Sequence, residues 1–153
     1  MKARDVMTSP VITVDLNMPV PAAAALLSSR GFTAAPVVDA DGQLVGIVSE
    51  ADLFRAPVVP DWWVIQREPD PTVEQMMTSA PTTMHSGDDV ADVVTVMLDA
   101  RIRSIPIVDD GELVGIVTRR DVLRLVARRE VIFEDAAARR SGSTRAPGNH
   151  RLQ

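Results

Sequence analysis

The chain has 153 residues, 46% of them hydrophobic, with a net charge of −5 and no cysteine, which fits one compact core and excludes disulfides, thiol nucleophiles and thiolate metal sites. No stretch approaches the roughly 18 apolar residues of a spanning helix and no apolar signal segment follows the first charges, so a soluble cytoplasmic protein without a membrane partner is the expectation. The acidic excess lies in residues 1–127 and residues 128–153 are mildly basic, so the body is a poor general binder of nucleic acid.

Residues 10–14, with β-branched side chains around Thr13 after the polar Thr8-Ser9 pair, predict a short strand. Residues 19–29 read as a helix closed by Gly31, which can adopt the left-handed conformation that ends helices. Residues 35–38 and 44–48 are strands of the buried type on either side of Asp39-Ala40-Asp41-Gly42, which is hairpin-turn chemistry. A calcium loop fits this turn poorly, because its glycine falls too early and Gln43-Leu44 interrupt the ligand pattern. A further helix opens at Ser49.

Residues 56–71 form a linker in which Pro57, Pro60, Pro69 and Pro71 stop either neighbouring helix from running on. Val58, Val59, Trp62, Trp63, Val64 and Ile65, at and just inside it, are too apolar for a solvated tether. They are expected to pack on the module, with a partner chain as the other possibility. Beyond it, residues 80–84 predict a strand. Val90, Val93, Val94, Met97 and Leu98 recur at helical spacing behind Ser86-Gly87-Asp88-Asp89, which offers N-cap oxygens. Residues 105–108 then form a strand, Asp109-Asp110-Gly111 a turn, and a last helix opens at Thr118. Residues 128–140 keep some helical character and the remainder reads as a disordered basic tail. Its Arg139, Arg140, Arg145 and Arg151 lack the aromatic interleaving of a nucleic-acid binder.

These elements occur twice. Met7-Thr8 returns as Met77-Thr78, Pro36-Val37-Val38-Asp39 as Pro106-Ile107-Val108-Asp109, and Gly42-Gln43-Leu44-Val45-Gly46-Ile47-Val48-Ser49 as Gly111-Glu112-Leu113-Val114-Gly115-Ile116-Val117-Thr118. Two short copies of one unit bury little alone and are expected to pack face to face, with function in matched clefts at the seam. The fold class is α/β (α+β), with two βαββα repeats covering a small sheet by helices. Boundaries fall at 3–55 for repeat 1, 56–71 for the linker, 72–127 for repeat 2 and 128–153 for the tail. Met7 and the pair Met76-Met77 read as core fillers.

The chemistry sits where the last strand of each repeat meets its last helix. Ser49-Glu50-Ala51-Asp52 and Thr118-Arg119-Arg120-Asp121 each carry a hydroxyl at the N-cap and a carboxylate three residues on, the pattern of a capping box. Arg119 and Arg120 stand at the positive end of a helix dipole, where cations are unfavourable unless an anion binds. Free N–H groups, a Thr hydroxyl and two guanidinium groups suit phosphate, and Asp121 suits a ribose diol. Repeat 1 has Glu50 where repeat 2 has Arg119, so a phosphate there meets a carboxylate.

The repeated Met-Thr, Pro-Val-Val-Asp (Pro-Ile-Val-Asp in repeat 2) and Gly-Ile-Val-Ser/Thr-x-x-Asp elements resemble a tandem pair of cystathionine-β-synthase (CBS) domains. The resemblance implies a pseudo-two-fold pair that binds an adenine nucleotide (AMP, ADP or ATP) or S-adenosylmethionine in its clefts as a regulatory ligand. It assigns ribose and phosphate contacts to Asp52 with Ser49 and to Asp121 with Thr118. It assigns base contacts to Ile12, Thr13 and Ala35 and to Thr82, Thr83 and Ile105, and phosphate to Arg103, for which repeat 1 has Thr33. No metal or required cofactor is implied. A homodimer is expected, regulating an unidentified effector protein. An enzyme is not expected, since His85 and His150 do not repeat and no phosphate-binding glycine loop occurs. The alternative is a ligand-free dimeric interaction scaffold that docks a partner through Trp62-Trp63.

Overall fold

The computed structural model describes residues 1–63 and 69–129; the expectations for Val64, Ile65 and residues 130–153 lie outside them. In chain order the elements are α1 (Ala3–Val6), β1 (Val14–Asp15), α2 (Val20–Arg30), β2 (Ala34–Val38), β3 (Leu44–Ser49), α3 (Glu50–Phe54), α4 (Val73–Met76), β4 (Thr78–Ser79), α5 (Val90–Ala100), β5 (Ser104–Asp109), β6 (Glu112–Thr118) and α6 (Arg119–Ala127). Each repeat is built around one hairpin, β2–β3 or β5–β6. The two hairpins share a register, with Pro36 opposite Ile47 and Pro106 opposite Ile116, and a bulge at Val37/Val38 and at Ile107/Val108. The mixed α/β architecture of two repeats is the one the sequence predicts.

The two repeats exchange their first segments. β4, at the head of repeat 2, adds to β3 of repeat 1, and Thr8, at the head of repeat 1, bridges to Ile116 in β6 of repeat 2. The short helices before them cross in the same way. Ala3 is fully buried among Val90, Val93, Ile105 and Ile107, and Val73 among Val14, Val20, Val37 and Val48. Met76 and Met77 pack on the repeat 1 core and Met7 on the repeat 2 core, so they fill space as expected.

The exchange also settles how the long helices begin. The Ser86–Asp89 segment supplies no side-chain cap to α5. Instead the N–H of Val90 donates to the carbonyl of Met1 (3.0 Å), and the N–H of Val20 donates to that of Pro71 (2.9 Å). Each arriving arm satisfies a donor that a side chain would otherwise have to meet. Asp88 accepts from the His85 N–H (2.8 Å), Ser86 donates to Asp109, and Lys2 pairs with Asp89 at 3.1 Å.

Two expectations are corrected. The first strand of repeat 1 shrinks from residues 10–14 to Val14–Asp15, and residues 80–84 leave only a bridge from Met84 to Ile107. The backbone has a ladder partner only where it reaches the end of β2, at Val14↔Val37 and Asp15↔Val38. The linker tryptophans do not pack on the module. Trp62 is 74% and Trp63 53% exposed, touching each other edge to face with centroids 6.0 Å apart, and Val58 and Val59 are exposed as well. The Asp39 carboxylate closes its turn, accepting from the N–H groups of Asp41 (2.9 Å) and Gln43 (3.0 Å).

Candidate functional site

The exchange leaves a cavity of about 200 Å³ at the seam. One wall comes from repeat 1, with Val11 and Ile12 leading into β1 and Arg30 through Ala34 spanning the end of α2 and the start of β2. The facing wall comes from repeat 2, with Ile116 and Thr118 of β6 and Arg120, Asp121 and Arg124 on one side of α6. Thr8 joins them, carried across by the exchanged arm.

Asp121 organises the repeat 2 wall. It is 5% exposed, the one buried charged side chain among the described residues. One carboxylate oxygen accepts from the Thr118 N–H (2.8 Å) and the Thr118 hydroxyl (3.1 Å); the other accepts from Arg124 (3.2 Å) and, at 3.4 Å, from the Thr8 hydroxyl. A buried carboxylate is costly without such hydrogen-bond partners. The capping role is therefore real in repeat 2. In repeat 1 it is fuller still, since Asp52 accepts from the Ser49 N–H (2.9 Å) and Ser49 Oγ accepts from the Asp52 N–H (3.1 Å).

Of the residues singled out in the sequence, Ile12, Thr118, Arg120 and Asp121 share this cavity. Arg103 and Arg119 do not line it; both side chains are exposed, and the Arg119 N–H donates to the Arg103 carbonyl at 2.9 Å. Ala35 and Ile105 lie fully inside the two cores. Thr13 is half-buried just beyond Ile12, and Thr82 and Thr83 are exposed ahead of Met84. Ser49 and Asp52 are half-buried at the matching corner of repeat 1.

Arg30, Arg124 and Thr8 line the cavity without having been singled out. Arg124 stands one turn beyond Asp121 on the same helix face, so i,i+3 spacing could have found it. Arg30 and Thr8 arrive from the other repeat. Gly46 and Gly115 held a clue to the crossing, because glycine inside a strand often marks a close approach of another segment. A side-chain carbon at Gly46 would meet Met77 Sδ at 2.5 Å and the Thr78 carbonyl at 2.8 Å, and one at Gly115 would meet Met7.

A family model described as the CBS domain matches residues 3–59 and 73–128. The chain belongs to the CBS domain family. An A-adding tRNA nucleotidyltransferase of Aquifex aeolicus is 31% identical over 126 residues, 82% of this chain and 14% of that protein. An L-aspartate semialdehyde sulfurtransferase of Methanocaldococcus jannaschii is 33% identical over 123 residues, 80% of this chain and 22% of that one. The chain thus spans less than a quarter of either enzyme. Among solved structures, a CBS domain pair in complex with 5′-methylthioadenosine and S-adenosyl-L-methionine aligns with a TM-score of 0.72 and 32% identity, covering 84% of this chain and 98% of that one. The protein CBSX2 in complex with AMP aligns with a TM-score of 0.71 and 29% identity, covering 85% and 98%. Both of those proteins thus hold adenosine compounds, and among the described residues of this chain no helix is long and apolar enough to cross a membrane.

Proposed function

We propose that this CBS pair is a non-catalytic regulatory module that binds an adenine nucleotide in the seam cavity. The observation that carries the reading is that Thr118 and Asp121 of one repeat face Ile12 and residues 32–34 of the other across a single cavity. The apolar strand lead-in suits the adenine. The Asp121 oxygen paired with Arg124 is reached by Thr8 only at 3.4 Å, which suits a ribose hydroxyl that replaces Thr8 as donor. Because the ligand touches both repeats, it favours one arrangement of the halves, which is the condition for a regulatory response. Relatives that hold AMP or S-adenosylmethionine support the ligand class.

Two copies are proposed to pair through the exposed Phe54 of α3 and Leu123 of α6, which occupy the same place in the two repeats. A cytoplasmic setting and an effector protein complete the reading. The exposed Trp62-Trp63 pair favours a second one, an interaction scaffold whose clefts stay empty.

Thermal melting with AMP, ADP, ATP, adenosine, 5′-methylthioadenosine and S-adenosylmethionine separates the two. A ligand at 100 times its Kd adds about 2.7 kcal/mol, which raises the midpoint by roughly 5–10 °C at this chain length. No shift with any of the six leaves the scaffold.

A further inference from the structure

The guanidinium groups around the seam cavity are not equivalent. Arg124 is committed to Asp121 at 3.2 Å. Arg120 reaches across the seam and donates to the carbonyl of Gly31 at 3.1 Å. That carbonyl belongs to the C-cap residue of α2, whose φ of 66 turns the chain out of the helix, so Arg120 engages one of the acceptors a helix end leaves open. Arg30, the residue before Gly31, lines the same cavity and makes no ion pair among the described residues. Two cations, one from each repeat, thus flank a cavity whose single carboxylate is already paired.

We infer that Arg30 and Arg120 form an anion clamp across the seam that makes this site selective for phosphorylated adenosine ligands over S-adenosylmethionine and over adenosine itself. Two guanidinium groups without carboxylate partners favour a phosphate and disfavour a sulfonium cation. A phosphate between them also replaces the Gly31 carbonyl as the acceptor for Arg120, exchanging a neutral acceptor for a charged one, and so ties the end of α2 to the start of α6 through the ligand. Arg30 is the specificity-determining member, since nothing in the described structure competes for it. Arg119, its side chain outside the cavity, takes no part.

This inference rests on the adenosine-binding reading, and calorimetry on the full chain separates the two. Wild type is expected to bind AMP at least tenfold more tightly than adenosine or S-adenosylmethionine, with an AMP affinity that falls as salt rises. Arg30→Ala is expected to bring AMP down to within about threefold of adenosine while leaving adenosine binding unchanged, and Arg119→Ala to leave both unchanged. If Arg30→Ala keeps the wild-type ratio of AMP to adenosine, or if S-adenosylmethionine binds wild type as tightly as AMP, the clamp is wrong and adenosine binding stands. If wild type binds none of the three, both readings fall.

Discussion

The corners at Asp121 and at Asp52 share a backbone and differ in what surrounds the carboxylate. Each acid sits three residues into a helix and accepts from the N–H of a hydroxyl residue at the cap. Around Asp121 the chain adds Arg124 and Thr8 and buries the group to 5% exposure, whereas Asp52 is half-buried. Where α6 carries Arg120 at the cavity, α3 carries Ala51, and where α2 ends on Arg30, α5 ends on Ala100. The backbone of a repeat supplies the capped helix start; a few side chains set the charge around it. The cleft also draws on both repeats, so a residue about three hundred ångströms of extended chain away can matter as much as one on the same helix turn.

The largest expected contrast comes from the two seam glycines. In Gly46→Ala the new methyl meets the Thr78 carbonyl at 2.8 Å, a backbone atom in the β3–β4 pairing that has little freedom to move. In Gly115→Ala the obstacle is the Met7 side chain, whose Cβ would lie 3.2 Å away and whose flexible end can swing out. Thermal melting is expected to give a loss of about 2–3 kcal/mol for Gly46→Ala and about 1 kcal/mol for Gly115→Ala. Because Met7 precedes Thr8 in the cavity wall, Gly115→Ala is also expected to weaken AMP binding while Gly46→Ala spares it. Equal losses in melting would remove the distinction between the two seams.

A smaller effect sharpens the comparison of the helix ends. α2 closes on Gly31 and α5 on Arg101, both left-handed, with φ of 66 and 54. Only the arginine has a Cβ to crowd the following backbone. Arg101→Gly is expected to stabilise the protein by about 1 kcal/mol in chemical denaturation; an unchanged midpoint would mean that the Arg101 side chain contributes as much as its conformation costs.

The repeated hairpins and capped helix starts were legible because they rest on short-range signals: turn residues at Asp39–Gly42 and Asp109–Gly111, and hydroxyl and acid three apart. Residues 10–14 misled because their β-branched side chains favour extended backbone, yet a strand also needs a partner, and β2 offers one only from Val14 onward. Ser86–Asp89 misled in the same way, since the N–H it was read to cap is met by Met1 from the far end of the chain. Trp62 and Trp63 were expected to find cover because the segment is too apolar for a solvated tether, yet most of their surface stays exposed. Arg30 could not be found from its neighbours at all. Its role depends on which repeat it faces, and that is fixed by the crossing of the arms.

The most direct test of the central claim is calorimetric titration of AMP into the wild type, Asp121→Ala and Asp52→Ala proteins. One dominant site per chain is expected, weakened about tenfold or more by Asp121→Ala, which also loses a cap worth about 1 kcal/mol of stability, and left within about twofold by Asp52→Ala. Two equivalent sites in the wild type, or a dominant site that survives Asp121→Ala and disappears with Asp52→Ala, would contradict it.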